Sequence, residues 1–484
     1  MENFVNDIVG ILWSSPLIYL CLGVGLVFSI MTRFLQVRHL KDMIKLMFQG
    51  KSSDAGVSSF QALAIALSGR VGTGNIAGTA TAIAFGGPGA VFWMWTIAFI
   101  GAASAFIEST HAQIYKVKQD GEYRGGPAYY IEKGLGWKWY GVLFAISAIF
   151  AMSLLMPGIQ SNSIALGLEN AFGISPFITG IILVAIIGII IFGGVKRIAT
   201  VAQYVVPFMA VGYILLSLII IALNITELPA VFALIFKSAF ALDSAFGGIV
   251  GAAISWGVKR GIYSNEAGQG TGPHAAAAAE VSHPAKQGLV QAFSVYIDTL
   301  LVCSATAFMI LFTGMYNVED PDGNFLRENL PGVEAGPAYT QAAIETVFPS
   351  FGAGFVAIAL FFFAFTTIMA YYYMAETNIA YLTRGRNSKT PMFVLKVVLL
   401  AATFYGAVKT AKLAWALGDI GLGIMVWLNV IAIVLLAKPA LVALKDYEEQ
   451  KKQGLDPVFD PEKLGIKNAD YWVEEYKGEE NRVS

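Results

Sequence analysis

A polar, glycine-rich segment at residues 68–78 interrupts a stretch that is otherwise apolar. Its sequence is SGRVGTGNIAG, and the surrounding stretch, residues 60–85, is long enough to cross a bilayer. Each glycine in a helix interior costs about 1 kcal/mol relative to alanine. Unwound backbone inside a membrane has no water to bond, so it normally lines a cavity enclosed by protein. The segment therefore predicts a broken helix that forms part of a binding site.

Such a break offers two kinds of backbone ligand. Free N–H groups at the start of the second helical half favour an anion such as a carboxylate. Free carbonyl oxygens at the end of the first half favour a small hard cation. The predicted anion-binding residues are Gly72, Thr73, Gly74 and Asn75, and the predicted cation-binding carbonyls include those of Ser68 and Val71. One break can thus hold the carboxylate of an amino acid beside a coupling ion.

Two adjacent threonines, Thr366 and Thr367, fit the cation side of this site. They lie within the aromatic and aliphatic run at residues 361–370, where both hydroxyl oxygens can turn toward one cavity. The alternative is that each hydroxyl bonds only the carbonyl four residues earlier in its own helix. The spacing alone leaves both interpretations open.

Helix packing is the alternative explanation for the first motif. Gly74 and Gly78 form a GxxxG pair, which brings helices into close contact without any ligand. The density of glycines and the presence of Arg70 argue that packing is not the whole explanation. An arginine at mid-membrane costs about 2.5–3.5 kcal/mol on the insertion scale, so it needs a partner or a water-filled cavity. The sequence alone identifies no partner for it.

Three acidic residues, Glu108, Asp298 and Glu376, lie within other apolar stretches. Each could relay protons, or it could pair with a polar neighbour as part of the structure. A second polar, glycine-rich stretch at residues 260–274 also has two interpretations, an inner gate or a plain connecting loop.

The composition assigns the chain to the membrane proteins. Hydrophobic residues make up 56% of its 484 residues and charged residues 13%. Soluble domains carry about 25% charged residues. The net charge of -1 gives no support for a nucleic-acid partner, and the two cysteines and four histidines lack the spacing of a metal, haem or disulfide site. We therefore predict an all-α membrane protein that has no cofactor and is not an enzyme.

The hydropathy pattern predicts eleven spans. They lie at residues 11–31, 60–85, 90–115, 139–168, 176–194, 199–223, 232–256, 289–313, 351–373, 392–407 and 413–436. Basic residues concentrate in alternate loops, which places the N-terminus outside and the C-terminus in the cytoplasm of a prokaryotic cell. The charged tail at residues 446–484 is predicted to be a solvated or disordered appendage.

Eleven spans divide into one plus five plus five. The predicted units are residues 1–50, 51–225 and 226–440, followed by the charged tail at 441–484. The first helix of each five carries glycines near its middle, and the second break is predicted at residues 247–251. Paired broken helices in two halves are typical of a transporter, and an odd number of spans per half inverts the repeat.

The chain resembles the alanine or glycine:cation symporter family in three motifs. These are GTGNIAG at residues 72–78, GGPGAVFWMW at 86–95 and SNEAG at 264–268. The resemblance implies the inverted-repeat architecture of the bacterial leucine transporter class, with one extra helix at the N-terminus. It also implies uptake of small amino acids driven by sodium, or sometimes by protons.

The resemblance assigns roles to both breaks. Residues 71–75 match the broken helix that holds the substrate carboxylate in that architecture, and Thr366 with Thr367 matches the hydroxyl pair that binds sodium beside it. The second break would face the amino group and side chain of the substrate. Its candidate substrate-binding residues are Phe246, Gly247, Gly248 and Trp256.

One departure from the family leaves the substrate open. Many relatives are expected to have Gly-Met-Gly-Ser-Ala-Pro after the Asn-Glu-Ala step, whereas residues 268–274 read GQGTGPH. The expected function is a secondary active symporter that imports alanine or glycine with sodium. A sodium-coupled glutamine importer of the same family, a proton-coupled carrier and a passive channel are the alternatives. A monomer is one oligomeric state that the sequence leaves open.

Overall fold

The computed structural model describes residues 2–242 and 246–476, and helices dominate this part of the chain. The first half contains α1 (Glu2–Leu12), α2 (Ser15–Met31), α3 (Leu35–Arg38), α4 (Leu40–Met47), α5 (Ser59–Arg70), α6 (Thr79–Gly86), α7 (Gly89–Ile114), α8 (Pro127–Tyr130), α9 (Lys138–Phe150), α10 (Pro157–Phe172), α11 (Pro176–Ile191) and α12 (Gly194–Leu223). The second half contains α13 (Leu228–Ala239), α14 (Val250–Asn265), α15 (Gly272–Ala277), α16 (Pro284–Val295), α17 (Ser304–Thr313), α18 (Pro337–Val347), α19 (Gly352–Leu382), α20 (Lys389–Val408), α21 (Ala411–Leu435) and α22 (Ala437–Lys452).

Shorter elements connect these helices. Wider π-helical turns occupy Gly74–Gly78, Ile131–Leu135, Ala151–Leu155, Tyr296–Cys303 and Tyr471–Tyr476, and 3₁₀ turns occupy Ile225–Glu227 and Gly247–Ile249. Two antiparallel hairpins pair β1 (Val117–Gln119) with β2 (Glu122–Arg124) and β3 (Asn317–Glu319) with β4 (Phe325–Glu328).

Eight helical stretches in the described residues are long and apolar enough to cross a membrane. They are Phe4–Met31, Gly89–Ile114, Lys138–Phe172, Lys196–Leu223, Pro284–Thr313, Gly352–Leu382, Lys389–Val408 and Ala411–Leu435, and a shorter apolar helix occupies Pro176–Ile191. The chain is therefore a mostly helical multi-pass membrane protein.

The predicted interruption of the first glycine-rich helix is confirmed. Helix α5 ends at Arg70, and Val71 takes a non-helical conformation with φ -77° and ψ 89°. The chain resumes as a π-helical turn at Gly74–Gly78 and continues into α6. A π-helical turn adds a residue to the ladder and is frequent at functional sites.

The predicted span at residues 232–256 is wrong as a single helix. Helix α13 ends at Ala239, and the next helix, α14, begins only at Val250 after the 3₁₀ turn Gly247–Ile249. Residues 243–245 of this predicted span lie outside the described residues. Gly251, which was predicted to be part of the break, lies inside α14.

The chain leaves the helical conformation a second time after α14. Glu266, Gly268 and Gly270 have φ values of 57°, 81° and 85°, which belong to the left-handed region. Two of these three residues are glycines, which adopt positive φ without a steric penalty. The short helix α15 follows this break.

The two broken helices lie antiparallel beside each other. A Cβ atom added at Gly74 would stand 3.1 Å from Cα of Ser264, and one added at Gly86 would stand 3.1 Å from Cβ of Trp256. Gly78, between these two glycines, faces Arg260. The small residues of the π-helical turn and α6 therefore permit a close approach to α14 along its whole length.

Helix α14 was not predicted to extend past Trp256 because it carries two charges that indicated a loop. Lys259 and Arg260 instead lie buried and pair with Asp419 of α21, at 2.6 Å and 2.9 Å. The predicted span, which ended at residue 256, therefore left both charges outside the helix that contains them. A shared carboxylate satisfies both cations inside the helix bundle, as buried charges require.

The prediction of a solvated or disordered tail is wrong for residues 446–476. Trp472 in this segment is fully buried, and its indole N–H donates to the carbonyl of Gln113 at 2.9 Å. Helix α22 is held to the N-terminal region by Glu448, which pairs with Arg33 at 2.6 Å and Arg38 at 2.8 Å. Burial acts to raise the pKa of Glu448, but hydrogen bonds and charge from His39 and Arg38 outweigh it and lower the pKa. Residues 477–484 lie outside the described part of the chain.

Candidate substrate and cation site

The first helix break diverts two backbone N–H groups to side-chain amides. Gly72 donates to Oδ1 of Asn75 at 2.8 Å, and Thr73 donates to Oε1 of Gln160 at 3.1 Å. In a continuous helix these N–H groups would bond the carbonyls of Ser68 and of the glycine that follows it. Those carbonyls therefore lose their regular helical partners, and the N–H groups bond to side chains instead.

The hydroxyl of Thr73 adds a polar group at the same place. Thr73 is fully buried, and Oγ1 has no hydrogen-bond partner among the described residues. Buried polar atoms are nearly always bonded to protein or water. An unpaired hydroxyl therefore lies beside the two diverted N–H groups.

Close packing explains why two positions of the break are glycines. An added Cβ at Gly72 would overlap the hydroxyl oxygen of Thr367. An added Cβ at Gly74 would stand 2.9 Å from Cδ1 of Tyr263, closer than real Cβ contacts allow. The break is thus enclosed between α19 on one side and α14 on the other.

Asn75 connects the break to a buried carboxylate. Its Nδ2 donates to Oδ1 of Asp298 at 2.6 Å, while its Oδ1 accepts the N–H of Gly72. Ser264 of α14 donates to the same oxygen of Asp298 at 3.0 Å. Cys303 completes this cluster, with Sγ 3.3 Å from Nδ2 of Asn75 and 3.1 Å from Oγ of Ser264. Asp298 thus joins both broken helices.

Gln160 of α10 is a second connecting residue. Its Oε1 accepts from Thr73, and its Nε2 donates to the hydroxyls of Tyr263 at 3.0 Å and Tyr371 at 3.2 Å. All four residues are buried. A side-chain amide held from both ends fixes the position of the break.

The predicted pair Thr366 and Thr367 lies beside the first break. The hydroxyl oxygen of Thr367 lies next to Gly72, and both threonines are fully buried. Each hydroxyl donates to its own helix, Thr367 to the carbonyl of Phe363 at 3.0 Å and Thr366 to that of Phe362 at 2.9 Å. These are the bonds of the structural alternative, yet a hydroxyl that donates keeps its oxygen lone pairs for a cation.

The candidate residues of the predicted second break are not brought next to Gly72. Phe246 and Trp256 lie near Gly87 and Gly86 at the far end of α6, and Trp256 contacts Phe85 with ring centroids 4.9 Å apart and planes tilted by 32°. Gly248 is exposed, and Gly247 lies next to Ala241. Twelve residues of helix separate Gly74 from Gly86, about 18 Å at about 1.5 Å per residue. The structure brings Tyr263 and Ser264 to the first break instead.

The second break, at residues 266–271, already holds a carboxyl group of the protein, and both of its oxygens accept hydrogen bonds, as those of a carboxylate anion do. The N–H groups of Gly268 and Gly270 donate to the two carboxylate oxygens of Glu108, at 3.2 Å and 3.1 Å. Asn429 of α21 donates to the same carboxylate at 2.7 Å. Glu108 therefore serves a structural role in this state, as the pairing interpretation predicts.

The remaining intramembrane charges also have partners. Arg70 donates to the hydroxyl of Ser294 and to the carbonyl of Gln291 at 3.1 Å, and three carboxylates act on it electrostatically. Glu376 pairs with Arg124 of β2 at 3.6 Å. The carboxylates that act on Arg70 are Glu266, Glu108 and Asp298.

Sequence reasoning missed Gln160, Ser264 and Tyr263 as members of the site. Ser264 begins the SNEAG motif, so a motif was available as a signal, but it was interpreted as part of a gate or loop. Gln160 is a lone amide within α10 and carries no pattern that distinguishes it from a packing residue. Only the fold brings these three side chains to residues 72–75.

Comparisons with known proteins place this architecture in a family. The model of the sodium:alanine symporter family matches residues 1–461. A putative sodium/proton-dependent alanine carrier protein of Bacillus subtilis is 78% identical over 100% of both chains. A sodium/proton-dependent alanine carrier protein of Bacillus sp. is 62% identical over 90% of this chain and 98% of its own.

Two further comparisons concern substrate and fold. A probable sodium/glutamine symporter of Bacillus subtilis is 49% identical over 95% of this chain and 94% of its own. The crystal structure of an Eremococcus coleocola manganese transporter matches 88% of this chain and 95% of its own with a TM-score of 0.51 and 12% identity. At that identity the match indicates a shared fold alone.

Proposed function

The chain belongs to the sodium:alanine symporter family, and from that premise we propose that it imports alanine into a prokaryotic cell with sodium. The observation that carries this proposal is the first helix break, where Gly72 and Thr73 offer N–H groups that only neutral amides occupy. A zwitterionic amino acid presents the carboxylate that such N–H groups favour.

We infer an architecture of eleven spans, one followed by two inverted sets of five. Eight apolar stretches, the shorter helix Pro176–Ile191 and the two broken helices together give this number. The broken helices are α5 with α6 and α14 with α15, so each set of five begins with one. Their antiparallel contact supports an inverted repeat. In this topology the N-terminus lies outside and the C-terminus lies in the cytoplasm.

In the substrate site, the alanine carboxylate replaces two side-chain acceptors. One carboxylate oxygen takes the N–H of Gly72 from Asn75, and the other takes the N–H of Thr73 from Gln160. Hydrogen bonds to an ionised group are about twice as strong as those between neutral groups. The exchange is therefore favourable, and the unpaired hydroxyl of Thr73 gains a partner in the same step.

In the cation site, sodium binds oxygen atoms near the end of α5 and oxygen atoms of α19. We assign to it the carbonyls of Ser68 and Val71 and the hydroxyls of Thr366 and Thr367. Packing of Gly72 against Thr367 supports this grouping, since it brings α19 to the end of α5. The carbonyls at a helix C-terminus carry partial negative charge, which favours a cation.

The two ligands couple through the conformation of residues 68–75. Sodium holds the carbonyls of the first half together, which fixes the direction of the N–H groups that follow. Each ligand therefore binds more tightly when the other is present, as thermodynamic reciprocity requires.

A glutamine substrate is the second candidate. The 49% identical relative named as a sodium/glutamine symporter favours it, whereas the 78% and 62% identical relatives are named as alanine carriers. The close approach of Tyr263 and Thr367 to the two glycines of the break favours the smaller side chain.

The test is uptake of labelled amino acids into proteoliposomes that contain the purified chain. We expect alanine to accumulate when an inward sodium gradient is imposed, and glutamine and leucine to compete poorly. A proton gradient imposed without sodium is the control for the coupling ion. Flux that equilibrates alanine regardless of the sodium gradient would contradict symport and indicate a passive channel.

A further inference from the structure

A short backbone pairing closes one side of the helix bundle. Val57, just before α5, donates to the carbonyl of Ala278 at 2.9 Å and accepts the N–H of Glu280 at 2.9 Å. Ala278 and Glu280 belong to the gate loop, which we define as residues 278–283, immediately after α15. The pairing thus joins the ends of the two broken helices on one side of the membrane.

A C-terminal strap, which we define as residues 456–472, covers this closed side. Phe459 donates its N–H to the carbonyl of Ser282 at 2.9 Å, and the hydroxyl of Ser282 donates to the carbonyl of Pro457 at 2.7 Å. An ion pair of 2.6 Å between Lys286 and Asp456 lies next to these bonds. The strap therefore binds the gate loop through its backbone as well as its side chains.

Aromatic packing anchors the strap. Phe459 is 2% exposed, and its ring contacts those of His283 and Trp472 at centroid distances of 5.4 Å and 5.1 Å. Trp472 donates to the carbonyl of Gln113 at the end of α7. The side chain of Gln113 in turn donates to the carbonyl of Ala279 in the gate loop at 2.9 Å. Strap, gate loop and α7 are thus joined pairwise.

These contacts cannot all survive an opening of this side. A substrate that leaves here must pass between the gate loop and its neighbours, so the bonds of Val57 and Gln113 to the gate loop must break. The strap is bonded to the gate loop through Phe459 and to α7 through Trp472. It must release one of them before the loop moves away.

We propose that the strap is a latch that holds the inner gate of the transporter closed, and that it releases the gate loop and stays bound to α7 when the gate opens. The inference rests on the proposed function for the identity of this side as the cytoplasmic exit. Detachment of the strap shifts the conformational equilibrium toward the inward-open state. This shift needs no ligand. It lowers the apparent affinity for alanine at the outer side, in proportion to the fraction of the protein that remains outward-facing.

The first test measures exposure of the gate loop without any substrate. Ala279, which is fully buried, is replaced by cysteine as a reporter for a hydrophilic maleimide. The native Cys21 and Cys303 are buried, and the protein without the reporter gives the background. We expect Phe459→Ala and Trp472→Ala to raise the labelling rate about tenfold or more, since loss of a buried aromatic ring strongly weakens docking.

Val458→Ala is the matched control for this test. Val458 lies in the same strap next to Phe459, but its side chain is 40% exposed. We expect its labelling rate to equal that of the reporter protein alone. Equal labelling in Phe459→Ala, Trp472→Ala and the control would overturn the latch.

The second test uses a crosslink and does not depend on the stability of those variants. Ser282→Cys combined with Pro457→Cys places one thiol on each of two neighbouring residues, which are now joined by a hydrogen bond of 2.7 Å from the hydroxyl of Ser282 to the backbone of Pro457. Oxidation should stop sodium-driven alanine uptake, and reduction should restore it. If the oxidised, crosslinked protein took up alanine as fast as the protein with free thiols, strap and gate loop would move as one body. That result would contradict the latch.

The two proposals fail in distinguishable ways. If the reduced protein shows no sodium-driven alanine uptake, the proposed function fails, while the labelling test still decides whether the strap closes the gate loop. If uptake is normal and neither labelling nor crosslinking has an effect, the latch fails and the proposed function stands.

Discussion

The two helix breaks differ in what satisfies their backbone N–H groups. At the first break, two neutral side-chain amides accept them, those of Asn75 and Gln160. At the second, a carboxylate of the protein accepts them, and this group, Glu108, also binds Asn429. A charged acceptor is held about twice as strongly as a neutral one. The comparison teaches that the same backbone geometry makes a structural joint when its anion is built in and a ligand site when it is not.

The largest effect is expected from removing the built-in anion. Glu108→Ala leaves the N–H groups of Gly268 and Gly270 and the amide of Asn429 without their acceptor inside the protein. A buried donor that loses its acceptor costs about 1–3 kcal/mol, and this variant leaves three such donors. We expect a large fall in the thermal unfolding temperature of the purified protein, or loss of the folded form.

Glu108→Gln is the control, since one acceptor oxygen remains and the volume is unchanged. Its unfolding temperature should lie between those of the alanine variant and the original protein. If Glu108→Ala unfolds at the original temperature, the second break does not depend on its carboxylate and the contrast between the breaks is lost.

The second prediction copies the built-in anion into the first break. Gln160→Glu puts a carboxylate next to the N–H of Thr73, where it competes with the carboxylate of alanine. Hydrogen bonds to charged groups contribute about 1.5–3 kcal/mol, so alanine affinity should fall about 10- to 100-fold. Equilibrium binding of labelled alanine measures this effect.

Gln160→Leu separates this competition from simple loss of the amide. It removes the resting acceptor of Thr73 without adding a charge, so its alanine affinity should fall less than that of Gln160→Glu. Equal losses in both variants would show that the introduced charge does not compete with the substrate.

The third prediction concerns the close approach at the first break. In Gly74→Ala the new Cβ would stand 2.9 Å from Tyr263, so α14 must shift away. Overpacking of this kind costs about 1–3 kcal/mol, and alanine binding should weaken about tenfold. Gly78→Ala is the matched control on the same turn, because its nearest neighbour, Trp415, lies at an ordinary 3.7 Å. Equal binding in the two variants would mean that the approach at Gly74 does not shape the site.

The first break could be predicted from the sequence because its signal is local. Gly72 and Gly74 each cost about 1 kcal/mol in a helix interior, and they lie with Gly69 and Gly78 within ten residues of an apolar stretch. The second break has an equally local glycine signal, at Gly268 and Gly270. It was assigned to a gate or loop because the predicted span, with its own predicted break, had been placed before it at residues 232–256.

The reason for that error is a contact between distant parts of the chain. The charges of Lys259 and Arg260 are compatible with a buried helix only because Asp419 lies beside them, about 160 residues later. No local pattern reveals such a partner. The same applies to Gln160, whose role depends on where α10 packs.

The charged tail was predicted wrongly for a related reason. Its composition resembles that of solvated segments, but composition averages over the few residues that decide docking. Phe459 and Trp472 are buried against the gate loop and the end of α7. Two aromatic residues in a charged segment are a weak signal until the fold provides the surface that they cover.

The fourth prediction, with the smallest expected effect, tests the cation side of the first break. Thr367→Val keeps the shape of the side chain and removes one hydroxyl oxygen. The carbonyl of Phe363 keeps a partner, because the hydroxyl of Thr366 lies 2.9 Å from it and shares its proton between this carbonyl and that of Phe362. We expect the sodium concentration for half-maximal alanine uptake to rise about fivefold, which corresponds to about 1 kcal/mol.

Thr377→Val makes this prediction specific to the first break. Thr377 is equally buried in α19 and donates to the carbonyl four residues earlier at 3.0 Å, as Thr367 does. It lies ten residues further along the helix, about 15 Å away. Its sodium dependence should therefore match that of the original protein. A rise in both variants would indicate a general effect on α19, and a rise in neither would place the cation away from Thr367. Either result would mean that Thr367 is not shown to be a sodium ligand. The first break would then lose the oxygen ligands that we propose distinguish it from the second.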